Sequence, residues 1–246
     1  MSPTGAESGE PVEARIEEFR ASVERQMRSA SSFEAAASAF VDTFYTTFDD
    51  FTLLVRVFAI VPYRRLDGGE RAFLGSLHEA TPVLTLLGTR GIEPRWNDRK
   101  SSQNHRAIPL ISEAFVEEAP MIAKLFAEIG DSPFSLHDGD WQFVKKTAET
   151  DGLFFVGDAR TTTDPRGRRV IPAADFVERY GVRTVFGFGR RAEDGSLAVV
   201  VVFCRKALLR TYAQPFVPLI ELLLAGSGKV SQAALFADRQ SESRFS

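Results

Sequence analysis

One cysteine in 246 residues excludes an internal disulfide, and a lone thiol fits the reducing cytoplasm, where the chain is expected. The three histidines, His78, His105 and His137, show neither C-x-x-C nor H-x-x-x-H spacing, so no zinc site is indicated. No apolar run approaches the ~20 residues that a bilayer-spanning helix needs. Positive charge is neither in excess nor clustered: the formal net charge is −3 and no basic block exceeds a few residues, which argues against nucleic acid as a partner. The opening MSPTGAESGEPVEAR is polar and acidic, the opposite of a signal peptide. Nucleophile-elbow, Walker, H-E-x-x-H and paired-carboxylate patterns are missing, and no catalytic residue is assigned. The adjacent acids Asp49-Asp50 and Glu117-Glu118 do not face one another across a cleft.

Polar aromatics are also scarce, with 4 Tyr and 2 Trp against 21 Phe. Phe has no polar handle, so this bias points to dry packing between a sheet and its helices, or to the lining of an apolar cavity. Hydrophobic content of 44% with 26% charged residues is ordinary for a soluble globular protein.

Residues 1–10, rich in Gly, Ser, Pro and Glu, are expected to be disordered. In 11–29, Val12, Ile16, Phe19, Val23 and Met27 form a narrow amphipathic helical stripe, with Pro11 at the first turn. That stripe can dock on its own domain or pair with a second copy. Ser31 and Glu34 make a capping-box pattern opening a second helix, whose face carries Phe33, Phe40, Phe44 and Phe48. The run 51–61 (FTLLVRVFAIV) reads as a buried strand, and 82–87 as another, ended by Gly88 and Gly91. Helix is expected from Asp67 and over 112–129, the latter broken before Pro120. A short helix or turn at 141–147, a strand at 153–156 and a polar loop at 158–169 follow. The interval 31–226 shows neither repeat nor linker and reads as one domain, with 227–246 as a tail.

In 175–224, a short amphipathic segment ends at Gly181, and a strand at 182–190 turns through Glu193-Asp194-Gly195 into an apolar strand at 197–204. An apolar-striped helix at 212–224 closes the unit. Asp-Gly between two β-rich runs is a hairpin signal, because Gly supplies the positive φ of the tight connection. This order resembles the last third of a GAF domain, a small-molecule sensor module of signalling proteins, and 33–61 resembles its opening. The resemblance implies an α/β (α+β) fold, GAF/PAS-like, with one antiparallel sheet of about six strands carrying helices on both faces. It also implies a stand-alone sensor acting through its flanking helices, a homodimer or a signalling protein partner. The interval 88–169 departs from the common pattern and is similar to a variant in sensory regions of bacterial histidine kinases, so pocket residues do not transfer onto it one by one.

Candidate ligand residues concentrate in 96–106, where an aromatic face, amides and cations suit an anionic or heteroaromatic ligand. Trp96, Asn97, Arg99, Asn104, His105 and Arg106 are the candidates, set against a solvated loop of turn formers. His105 is also a candidate axial haem ligand, and Cys204 a candidate, against its reading as an inert core residue, for bilin attachment. Phe188 and Arg190 follow, because Gly187 and Gly189 in their strand mark close backbone approach over which a ligand could lie. Cys204 reads as a small buried hydrophobe; the sulfoxide-reducing branch of GAF-fold enzymes relies on more than one cysteine. Two rivals stand beside the sensor: an enzyme with His105 as general base and Arg99 or Arg106 as oxyanion partner, and a scaffold whose cleft is filled by its own Phe side chains.

Overall fold

The computed structural model describes residues 11–102, 105–132, 136–137, 140–141, 144–145, 151–191, 197–229 and 235–236. Residues 1–10, Asn104, the hairpin turn at 193–195 and most of 230–246 lie outside them. The chain begins with α1 (Val12–Met27) and α2 (Phe33–Thr47), followed by β1 (Thr52–Pro62), α3 (Gly68–Leu74), β2 (Pro82–Gly91) and β3 (Ala107–Pro109). Next come α4 (Glu113–Glu117), α5 (Pro120–Ile129) and four two-residue strands, β4 (Asp131–Ser132), β5 (Leu136–His137), β6 (Asp140–Trp141) and β7 (Val144–Lys145). β8 (Leu153–Val156), α6 (Ala174–Arg179), β9 (Thr184–Arg191), β10 (Leu197–Cys204), α7 (Arg210–Ala213) and α8 (Ile220–Lys229) complete it.

Six strands form one antiparallel sheet in the order β3-β2-β1-β10-β9-β8, with β1 and β10 at its centre. Alternate residues of the central strands enter two separate cores. Val55, Val57 and Ala59 with Val200, Val202 and Cys204 pack on one face, and Leu54, Phe58 and Ile60 with Val199, Val201 and Phe203 on the other. That double burial is why both strands read as continuous apolar runs instead of alternating ones.

The first face is where the phenylalanines go. Phe19 of α1 meets Phe40, Phe44 and Phe48 at centroid distances of 5.1, 5.7 and 5.9 Å. Phe216, in the 3-10 segment Gln214–Leu219, meets Phe44, Phe48, Phe51 and Phe186. The α1 stripe (Ile16, Phe19, Val23, Met27) is buried within its own chain, so the helix docks in cis. The other face is covered by α4, α5 and α6 and by the segments around Trp96 and Ile171.

Five local expectations are corrected. Ser32, not Ser31, caps α2, its Oγ accepting from the amide of Ala35 at 3.0 Å, while the Glu34 carboxylate turns to Arg99. β2 runs on to Gly91 instead of ending at Gly88, because a bulge leaves Leu87 between the pairs Val57–Gly88 and Phe58–Leu86. There a Cβ on Gly88 would stand 2.7 Å from the Ala37 carbonyl, so the missing side chain lets α2 rest on the strand. Where a short helix or turn was expected at 141–147, the described residues Trp141, Val144 and Lys145 pair as strand residues with Leu136, Ser132 and Asp131. The closing helix is interrupted, since Pro215 and Pro218 supply no amide hydrogen and the chain tightens to 3-10 over Gln214–Leu219. Within the expected tail, Leu235 and Phe236 are buried in the first core, and the Leu235 carbonyl accepts from the Glu34 amide at 3.0 Å.

Candidate ligand site

Between the second sheet face and its covering helices lies a cavity of 480 Å³. Its floor is Leu54, Arg56 and Phe58 of β1 with Val201 and Phe203 of β10, and its far wall is Phe115 of α4 with Pro120, Met121, Ile122 and Leu125 of α5. Trp96, Phe176 and the Ile171–Ala173 stretch close one side, and Leu84, His105 and Ile108 the other. The aromatic side is closely packed: the Trp96 ring stands edge-on to Tyr180 at 4.7 Å and to Phe176 at 5.6 Å, and Phe176 meets Phe203 at 5.4 Å.

Among the described residues lining this space, Arg56 and His105 alone are titratable. Arg56 is the one partly accessible position inside an otherwise buried stretch of β1, and the cavity is the space it faces. Its Nε is buried with no hydrogen-bond partner. Burial pulls its pKa down to about 10, with no carboxylate to oppose the shift. His105 is exposed, yet enough protein surrounds the ring that burial holds its pKa below 6.5, assisted by the charge of Arg56. The imidazole is therefore neutral near neutral pH, and the standing charge in the cavity is the guanidinium.

The expected site residues divide. Trp96 and His105 line the cavity. Asn97 does not; its Oδ1 accepts from the Gly91 amide at 2.8 Å and closes the loop that carries Trp96. Arg99 and Arg106 belong to an internal charge cluster. Arg99 donates to Glu34 through Nε and to Glu70 through Nη1, both at 2.5 Å, and Arg106 Nε donates to the two Glu70 oxygens at 2.9 and 3.0 Å. Burial disfavours the charged form of Arg99, but its bonds to Glu34 and Glu70 outweigh that and raise its pKa. Neither arginine is available as an oxyanion partner. Phe188 packs in the opposite, Phe-rich core, and Arg190 pairs with Glu221 of α8 at the surface. Asn104 lies outside the described residues.

Arg56 was absent from the sequence candidates, as were the walls contributed by α4, α5 and 171–173. One signal could have exposed it: in TLLVRVFAIV it is the sole charge, placed with the parity of Leu54 and Phe58, and an unpaired charge inside a core strand calls for a partner. The α4–α5 wall carries no comparable sequence signal, because its apolar residues serve core and cavity alike.

Cys204 is fully buried on the Phe-rich face, with its thiol pKa raised by burial and by Asp50. Groups of three or more metal-ligating side chains are absent among the described residues, where no helix is long and apolar enough to cross a membrane.

No protein-family model matches the sequence, and no curated protein is similar to it. Solved structures do match. The free methionine-R-sulfoxide reductase of Neisseria meningitidis, solved with its substrate, is 12% identical with a TM-score of 0.55, over 92% of this chain and 96% of that one. A phycocyanobilin-bound GAF domain from a cyanobacterial phytochrome is 9% identical with a TM-score of 0.49, over 87% and 94%. A GAF domain from a phosphoenolpyruvate-protein phosphotransferase of Coxiella burnetii is 10% identical with a TM-score of 0.48, over 89% and 96%. At these identities the likeness concerns the fold alone. The six-stranded antiparallel sheet between two helical layers, together with the near full-length match to the reductase, makes this a chain of GAF-like fold.

Proposed function

We propose that this chain is a sensor module that binds a small molecule in the 480 Å³ cavity and transmits occupancy through the helices on the opposite sheet face. The observation that carries this reading is the asymmetry of the two cores. Among the described residues one is packed with contacting phenylalanine rings; the other keeps a space in the size range of small-molecule sites, apolar with two convergent polar side chains. A pure scaffold would be expected to fill both. The route of transmission is short: Arg56 lines the cavity, while its neighbours Val55 and Val57 pack in the core of α1, α2 and α8. A ligand can bias those helices only through unequal affinity for their two arrangements.

The reductase that shares the fold is a small-molecule protein, which supports the reading, but its thiol chemistry is not carried over. The one cysteine here is buried on the closed face. The rival with His105 as general base loses Arg99 and Arg106 to Glu34 and Glu70, and among the described residues His105 has no hydrogen-bond partner to orient it. Output through a partner protein or a second copy is part of the proposal. Because the α1 stripe is covered in cis, a homodimer would use another surface.

Native mass spectrometry of the purified protein tests this directly, with an absorbance scan for a Soret or bilin band. A small molecule retained in native spray and lost on denaturation supports the sensor. A protein that retains nothing, and that no compound in a broad metabolite library stabilises thermally, refutes it. Light scattering with and without the retained molecule reads any change of oligomer.

A further inference from the structure

Within the sensor reading, on which this inference rests, we infer that the ligand is an amphiphilic anion: an apolar body bearing one carboxylate, with the carboxylate held by Arg56. The fold contains its own comparison for this assignment. Arg99 is 5% exposed and meets two carboxylates at 2.5 Å; Arg56 sits in a low-dielectric cavity with none. Among the described residues no hydrogen bond or ion pair reaches the Arg56 side chain, and its Nε is buried and unpartnered. Thr89, directly opposite it on β2, does not serve as acceptor, since the Thr89 Oγ is itself buried without a partner. A guanidinium does not discard its proton under physiological conditions, so it cannot escape the cost of burial by becoming neutral.

An anion entering the cavity supplies the missing acceptor, and the planar fork of Arg56 suits a carboxylate's two oxygens. The imidazole of His105, neutral before binding, offers an N–H in the same space. Phe58, Phe115, Trp96 and Leu125 offer nothing polar beyond the Trp96 indole N–H, so the remainder of the ligand must be apolar. Among the described residues no Asp or Glu lines the cavity to compete for the cation or repel the anion.

The test pairs three probes with two proteins. Decanoate, 1-decanol and decylamine are titrated against wild type and Arg56→Met by calorimetry, with Trp96 fluorescence as a second readout and the neutral dye N-phenyl-1-naphthylamine reporting access to the cavity. Wild type is expected to prefer decanoate to decanol by about ten- to a hundredfold and to reject decylamine. Arg56→Met is expected to bind decanol as before and to lose that preference. Equal affinity for acid and alcohol in wild type overturns the charge assignment while leaving the cavity reading intact, as does dye binding that decanoate cannot displace. If neither dye nor decanoate enters, the cavity reading fails as well. Preference for decanoate that survives in Arg56→Met overturns the role of Arg56.

Discussion

Glu70→Gln is the most informative perturbation of the segment that carries His105. Glu70 is placed by α3, whose N-cap Asp67 accepts from the Glu70 amide at 2.8 Å. It is 0% exposed and is shared by Arg99, at 5%, and Arg106, at 19%. The substitution keeps shape and removes one negative charge from between two cations. Arg99 retains Glu34; Arg106 loses the only carboxylate it meets among the described residues. Breaking a buried pair from one side costs about 3–5 kcal/mol, and the partial solvation of Arg106 draws the value toward the lower end. For a chain of this size that corresponds to a fall in Tm of about 6–20 °C. Urea unfolding followed by circular dichroism gives the loss, and a double-mutant cycle with Arg106→Met isolates the coupling. A loss below ~1 kcal/mol, with no coupling, would falsify the claim that this cluster is the structural clamp of the 99–106 loop.

The other predictions concern the cavity and its rim. Arg56→Met should raise the stability of the empty protein by about 1 kcal/mol, because a largely buried cation with no side-chain partner among the described residues is replaced by an apolar side chain of similar length; a lower urea midpoint would contradict this. Gly91→Ala should cost about 1–3 kcal/mol and shift the Trp96 emission, since the new Cβ would stand 2.8 Å from Trp96 Cε3 and 2.9 Å from the Leu53 carbonyl. His105 has a folded pKa below its unfolded value of 6.5, so the stability tied to its neutral form is complete above 6.5 and lost as pH falls through the folded pKa. The urea midpoint of wild type should therefore drop more than that of His105→Gln between about pH 7.5 and pH 5. Arg166 and Arg168 pair with Glu117 and Glu118 at 3.0 and 3.1 Å, joining the 158–169 loop to α4 at the surface. Replacing both arginines with Ala should change stability by under ~1 kcal/mol while speeding hydrogen exchange in α4.

The central strands were legible because burial on both faces leaves an unbroken apolar run, and β10 spans Leu197–Cys204 as the periodicity indicated. The break at Pro120 was equally legible, since a missing amide hydrogen acts locally. Where reading failed, the deciding contact was remote. Gly88 looked like a strand terminus, but the chain continues because Ala37 of α2 occupies the space its side chain would need. Ser31 and Ser32 are indistinguishable caps until the helix start is fixed by packing. In the 96–106 segment the residue types suggested a cluster of ligand contacts, yet Arg99 and Arg106 face Glu34 and Glu70, 65 and 36 residues away.

The sequence by itself determined the layer architecture, through apolar periodicity, prolines and the few residue types it lacks, all of which act within a turn or two of chain. Its single cysteine, its histidine spacing and its short apolar runs pointed away from disulfide, zinc and membrane-spanning helix readings. Only the tertiary structure decided which cations are spent and which is left over. Pairing of charges depends on distances between segments far apart in the chain, and burial depends on what covers each sheet face. Those two conditions neutralise Arg99 and Arg106 and leave Arg56, a residue of a core strand, as the lone charge among the described residues that line an apolar cavity.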